Sequence, residues 1–382
     1  MNQVLTKRSL VALAMLTSLL LATSGCAGGA RASSWTGLTV VDDTLYVADL
    51  QQARAMNATS GETLWTFPRN PEENSQGLFY ASPAVSDAEQ VFFASQLTTG
   101  GFFSQRQSIV WALDVETGEE RWRFAGATGM YVEGGALGDG LFVIGNGDGN
   151  VYALDRETGA LQWTFETGHR VWSTPLIVSD TVYVGSMDRN LYALDLQSGE
   201  AKWTFKTDGA FGGKPALSDN MLYVGAFDDT VYAIDAETGE ERWRFRGDEW
   251  FWGSPAISDG VLYAVDVKGT LYAFDARTGD LNWQKTLVTD QNQPVSVRAG
   301  VMLNDDGSRL FVSSESGTLY ALDTTAEGFV DWSSPAGGQG LSDPAVNGSL
   351  VYQTLIGGTS RVRALEIDRG REAWSFPPPE EG

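Results

Sequence analysis

The chain is poor in the side chains from which most catalytic and metal centres are built. Its 382 residues include one Cys and one His. A single Cys excludes an intramolecular disulfide, a Cys-rich zinc site and a thiolate-held iron–sulfur cluster. A single His excludes a multi-histidine metal centre and argues against His-dependent catalysis. Basic residues are also few: 26 Lys+Arg stand against 49 Asp+Glu, a formal net charge of −23. Such a surface repels phosphate backbones and anionic lipid, which excludes nucleic acid as a partner. What the chain does have is aromatic and turn-forming residues, with 13 Trp and 44 Gly. An apolar share of 42% is ordinary for a globular protein, so the charge does not imply disorder.

The first 34 residues read as an address. Lys7 and Arg8 precede an apolar run over 10–22, and small residues then lead to Cys26. That order is a charged n-region, a short h-region and a cleavage zone, and the run is shorter than the ~20 residues a span needs. The small-small-Cys ending resembles a lipoprotein signal, with Thr23 where that pattern prefers Leu. It implies removal of 1–25 and lipidation of Cys26, followed by a Gly/Ala/Ser tether over 26–34. A core helix is the competing reading of the run. Lys7-Arg8 also resembles a degenerate twin-arginine signal, so the export route stays open.

Length alone suggests two or three domains, but the rest of the chain is one unit repeated. Residues 150–165 read NVYALDRETGALQWTF, 190–205 NLYALDLQSGEAKWTF and 230–245 TVYAIDAETGEERWRF. The frame recurs at 109–124, 270–283 and 318–332, with degenerate copies at 54–67 and 361–376. In the fourth copy, short alternating strands at 176–179, 182–185, 191–194 and 201–205 are separated by Gly, Asp and Asn turns, the signature of hairpins. Four antiparallel strands repeated eight times predict an all-β, eight-bladed β-propeller. It forms one domain over 35–377, with a short tail from 378 to 382, and the repeats show no strand borrowed from the N-terminus.

The frame tryptophans fall at Trp65, Trp122, Trp163, Trp203, Trp243, Trp283, Trp332 and Trp374. From the turn Asp or its substitute to the Trp there are eight residues in seven copies and nine in the copy ending at Trp332. A turn of Thr-Gly or Ser-Gly needs a positive φ at Gly and a capping Asp or Thr. The Trp then docks on the neighbouring blade, where each buried indole hides roughly 150–250 Å². Because the eight are equivalent, docking is preferred over a role in stacking a cofactor.

The frame A-[LIF]-D-x-x-[TS]-G-x-x-x-W, at 112–122, 153–163, 193–203, 233–243 and 273–283, resembles the quinoprotein (PQQ-type) propeller repeat. The resemblance covers essentially all of 35–377. It implies one of two branches: quinone- and calcium-dependent alcohol or sugar dehydrogenases, or non-enzymatic propeller lipoproteins of the BamB type, which work in outer-membrane barrel assembly. The dehydrogenases carry an adjacent Cys-Cys pair and much longer loops, and this chain has neither. No acidic or Asn set stands outside the repeat as a calcium group; Asn304-Asp305-Asp306 reads as turn chemistry, and His169 as a surface residue. The expected protein is therefore a monomeric, membrane-anchored scaffold without a cofactor or metal. It binds an exported or membrane-associated protein, either at the outer face of the cytoplasmic membrane or on the periplasmic side of an outer membrane. A small quinone-dependent dehydrogenase or quinone binder is the alternative.

Blade links and second-to-third-strand turns share one face, and most length variation falls there, at 68–79, 95–108 and 286–297. Aromatic residues precede the first strands, and the candidates for partner binding are Tyr80, Tyr131, Trp172, Phe211, Phe251, Trp252 and Arg298. Acidic turns at Asp148, Asp188, Asp228-Asp229 and Asp248-Glu249 accompany them. Such a set suits an extended peptide, a sugar or a cationic group; packing at the inner rim is the alternative. Finally, only six of the basic residues are Lys, at 7, 202, 206, 214, 268 and 285, and the acids are spread through every repeat. Diffuse carboxylate with scarce Lys resembles a halophile's proteome and implies a haloarchaeal surface lipoprotein.

Overall fold

The computed structural model describes residues 36–69, 77–86, 89–99 and 105–378. The expected signal, Cys26, the tether, the tip of the insertion near residue 100 and the tail beyond 378 lie outside them.

Thirty-two strands form eight separate four-stranded antiparallel sheets, each built from four consecutive strands. The blades span 37–67, 77–127, 136–166, 176–206, 216–246, 256–286, 301–334 and 345–376. The protein is an eight-bladed β-propeller, with no helix among the described residues. The fourth blade shows why the sequence folds this way. Its strands are Leu176–Val178, Thr181–Gly185, Asn190–Asp195 and Ala201–Lys206. The second strand is buried throughout and the third almost so, because both their faces are covered by adjacent blades. The outer strand alternates, directing Trp203 and Phe205 inward and Lys202, Thr204 and Lys206 to water.

The recurring turn explains the recurring letters. Asp195 Oδ1 accepts hydrogen bonds from the N–H groups of Gln197 and Ser198 at 3.1 and 2.9 Å, and from Ser198 Oγ at 3.0 Å. Gly199 follows at φ 72°, in the left-handed region that Gly enters without a steric penalty. Its missing side chain is also the docking socket: a Cβ there would meet Trp163 of the preceding blade at 2.6 Å. The same contact runs round the ring, Trp65 on Gly118, Trp122 on Gly159, Trp203 on Gly239, Trp243 on Gly279, Trp283 on Gly328 and Trp332 on Gly370. Seven indoles donate Nε1–H to a carbonyl of the next blade at 2.8–3.0 Å. Trp283 faces the turn that is one residue longer, and it meets Gly328 through the far edge of its ring, Cζ3 and Cη2.

The ring closes without strand exchange. Trp374 of the last blade docks on Gly61 of the first and donates to Ala58 O at 2.9 Å, and Tyr352 OH donates to the same carbonyl at 3.2 Å. Asp49, almost fully buried, accepts from Arg54 Nε at 2.6 Å and Arg361 Nη1 at 2.9 Å. Both guanidinium groups lie over Phe376, 4.8 and 5.4 Å from its ring centre. Arg54 and Arg363 occupy the third-strand position that holds Tyr152, Tyr192, Tyr232 and Tyr272 elsewhere. The seam blades thus replace an aromatic layer with buried guanidinium groups.

Candidate binding face and channel

Hydrogen bonds confirm that blade links and second-to-third-strand turns share one face. The turn N–H groups of Gly147, Met187, Phe227 and Val267 donate to the link carbonyls of Met130, Arg170, Ala210 and Trp250 at 2.9 Å. Acidic residues in these turns hold the loops together. Asp148 accepts from Thr128 N and Tyr152 OH, Asp188 from Gly168 N and Tyr192 OH, and Asp228 from Gly209 N and Tyr232 OH. Burial opposes ionisation of Asp148, but these N–H and O–H donors outweigh it and hold the carboxyl below its usual range. Three of the acids expected to face a cationic ligand therefore carry internal bonds.

Four of the seven candidate side chains are core, the inner-rim packing that stood as the alternative to binding. Tyr80, Tyr131, Phe211 and Phe251 are 4%, 1%, 0% and 1% exposed. For Phe211 and Phe251 the reason is a glycine 26 residues earlier. The strand-ending glycines Gly185 and Gly225 leave room for Phe211 and Phe251, whose Cβ atoms lie 2.4 and 2.3 Å from where a Cβ would stand. Gly145 makes the same space for Val171. The glycine closing the second strand of the third, fourth and fifth blades was the available signal. Tyr131 packs among Ala127, Phe142 and Ile144 in the third blade's core.

Trp172, Trp252 and Arg298 do come together at the channel mouth. The two indoles are 6.1 Å apart, and the Arg298 guanidinium lies 5.4 Å from the Trp252 ring centre while pairing with Glu315 at 2.5 Å. Phe227 stacks on Trp252 at 4.8 Å and on Trp250 at 5.6 Å, and Arg170 caps Trp172 at 5.7 Å. Trp250 is 48% exposed. Sequence reasoning missed Phe227 and Trp250, because each is an exception within its column rather than part of a repeating one. His169 is exposed, as expected.

Below the mouth lies a channel of about 650 Å³, lined by the first strands and the residues before them. Hydroxyls of Thr39, Ser82, Thr174 and Ser254 line it, together with Glu133, Lys214 and Asp343. Burial raises Glu133 well above the usual carboxylate range, with the negative Asp343 adding to it. Burial also raises Asp343, against a hydrogen bond from Gly300 N–H and the nearby Lys214. Lys214 is open to channel water yet densely surrounded by protein, and this desolvation lowers its ammonium, against the pull of Asp343. A signal for two of these existed one place before the conserved-looking Pro of the repeat, where Lys214 and Asp343 replace Ser82, Thr174 and Ser254.

An eight-bladed ring of four-stranded sheets locked by indole-on-glycine contacts defines a propeller of the quinoprotein type. The chain belongs to the family described as outer membrane protein assembly factor BamB, whose model matches residues 105–210, 203–306 and 296–382. A comparison with curated proteins finds no match. Among solved structures the chain is similar to BamB from Moraxella catarrhalis, at 16% identity over 83% of this chain and 92% of that one, TM-score 0.67. It is also similar to the computationally designed protein Ika8, at 16% identity over 88% of this chain and 96% of that one, TM-score 0.70. A europium-containing methanol dehydrogenase matches at 15% identity over 78% of each chain, TM-score 0.65. At these identities the likeness is one of fold.

The quinoprotein fold implies a quinone with a metal over the ring centre in its enzymatic members. The residues present here do not fit that pair. Among the described residues no group of three or more His, Cys, Asp or Glu converges on one point. The channel places Lys214 and two carboxyls on separate blades instead.

Proposed function

We propose that this chain is a non-enzymatic propeller scaffold, exported and anchored through a lipid on Cys26, that binds a protein partner through its link-loop face. The observation that carries this reading is the aromatic cluster at the channel mouth, where Trp250 remains half exposed beside Phe227, Trp252 and Trp172. Tryptophan and arginine in partly desolvated clusters are the residues that dominate protein interfaces. The described family, an assembly factor, supports a binding role. The outer face of the cytoplasmic membrane is the proposed location, with the periplasmic side of an outer membrane as the alternative.

A photo-crosslinking residue at position 250, in intact membranes, tests the face directly. One partner is expected to crosslink, and Trp252→Ala is expected to abolish the band. The same probe at position 157, in a turn on the opposite face, is expected to stay silent. Crosslinks from 157 alone, or from neither, would overturn the assignment. The fold shared with a methanol dehydrogenase keeps a quinone-dependent enzyme as a second reading. A stoichiometric quinone absorption band in natively purified protein, with calcium-dependent alcohol or sugar oxidation, would establish that reading instead.

A further inference from the structure

Two buried arginines elsewhere in this protein are enclosed by polar partners, and one of them is paired with a carboxylate. Asp49 holds Arg54 and Arg361. Arg363 is enclosed by Gln353 Oε1 and by the carbonyls of Ser334, Pro335 and Gly317. The channel departs from this pattern. Glu133 makes no hydrogen bond or ion pair through its side chain among the described residues, and no ion pair joins Lys214 to Glu133 or Asp343. Asp343 accepts from the Gly300 N–H and from the Ser254 hydroxyl. The three groups enter from the third, fifth and eighth blades, which sets them two or three blades apart around one water-filled space.

A desolvated carboxyl without a protein partner, here Glu133, beside an ammonium that is in no ion pair, favours a ligand that supplies the opposite charges. The three groups form a pattern of two acids and one base. Its complement carries two cationic groups and one carboxylate, which is the charge pattern of a basic α-amino acid. The volume, about 650 Å³, lies within the range of small-molecule sites, and the hydroxyls of Ser82 and Thr174 add neutral partners.

We propose that the channel binds a free basic α-amino acid, with its α-carboxylate on Lys214 and its two cationic groups on Glu133 and Asp343. Burial disfavours the charged form of all three groups, and opposite charges on the ligand favour it. This site is independent of the protein partner proposed above, which uses the mouth.

Isothermal titration of the intact protein with L-arginine and L-lysine tests the assignment. One of them is expected to bind with 1:1 stoichiometry. L-Alanine lacks the side-chain cation, 1,4-diaminobutane lacks the carboxylate, and Nα-acetyl-L-arginine lacks the α-ammonium group. Each is expected to bind about tenfold more weakly or worse. Lys214→Met and Glu133→Gln are each expected to weaken the preferred amino acid by about tenfold or more with circular dichroism unchanged. Asp343→Asn disturbs the bond to Gly300, so the other two variants carry the test if it fails to fold. Non-specific attraction to an acidic protein would be strengthened by Lys214→Met, the opposite of the expected result. Absence of binding at millimolar arginine and lysine overturns the proposal. So does equal binding of diaminobutane, or of acetyl-arginine, which would assign the site to a peptide's C-terminal residue.

Discussion

At each blade junction an indole occupies the space that a single methyl group on the facing glycine would need. Gly239 sits at φ 73°, and a Cβ there would meet Trp203 at 2.7 Å. Gly260 has nearly the same φ, 74°, but nothing within 4 Å. Gly260→Ala should therefore cost only the left-handed backbone penalty, about 1–2 kcal/mol. Gly239→Ala adds displacement of a docked indole and should cost about 2–4 kcal/mol. Urea denaturation of the two variants side by side separates the terms, and equal losses would remove the docking argument. Titration is also legible at this scale. The Arg121 guanidinium, 2.8 Å from Asp114, holds that carboxyl down at about 2. A depressed folded-state pKa means stability that is present above the unfolded value near 4 and is lost as pH falls toward about 2. Arg121→Met should therefore move acid unfolding to higher pH, by a small amount because both groups are partly exposed. A urea midpoint measured from pH 5 to pH 2 that runs parallel in variant and parent would refute this.

The strands are secured differently at the seam than elsewhere. Interior junctions set a third-strand tyrosine edge-on against a fourth-strand phenylalanine, as in Phe165 with Tyr192 at 5.1 Å and Phe205 with Tyr232 at 5.5 Å. The closing junction instead places Asp49 between Arg54 and Arg361. Asp49→Ala leaves the buried Arg54 unpaired and should cost about 3–5 kcal/mol. Arg361→Ala removes the more exposed partner and should cost nearer 1 kcal/mol. Calorimetric melting distinguishes them, and similar losses would mean that Phe376 rather than Asp49 closes the ring. The second blade adds another local feature. Its insertion is a continuation of the sheet, with Thr99 paired to Gln105, so the long second-to-third connection reads as a loop in sequence but extends as a hairpin.

Over the whole molecule, net charge and the mouth set the remaining expectations. A chain at −23, with few lysines, repels itself at low ionic strength. Its melting temperature should rise from low to multimolar potassium chloride, because salt screens repulsion within a Debye length. A flat response would remove the argument for a halophilic surface. At the mouth, Trp250→Ala should leave stability within about 0.5 kcal/mol, since the ring is half exposed, while weakening partner capture by about 1–2 kcal/mol. The ring was legible from Trp, Gly and turn Asp because each blade repeats the same local solution. The candidate site was only partly legible. Trp172 and Trp252 were found by their column and Arg298 as an opposite charge among acidic turns, but Phe227, Trp250, Glu133 and Lys214 are single departures from columns and carry no period of their own.

The sequence by itself determined the strand count, the turn chemistry and the docking tryptophans. Those depend on contacts within one repeat or between neighbours, where spacing is identical from copy to copy. Only the tertiary structure decided which aromatics are buried and which reach water. Phe211 and Trp172 lie in adjacent columns of similar composition, yet the glycine that makes room for Phe211 comes from a strand two turns earlier. It alone also brought Glu133, Lys214 and Asp343 to one channel, since they are 81 and 129 residues apart in sequence and meet only when the ring closes.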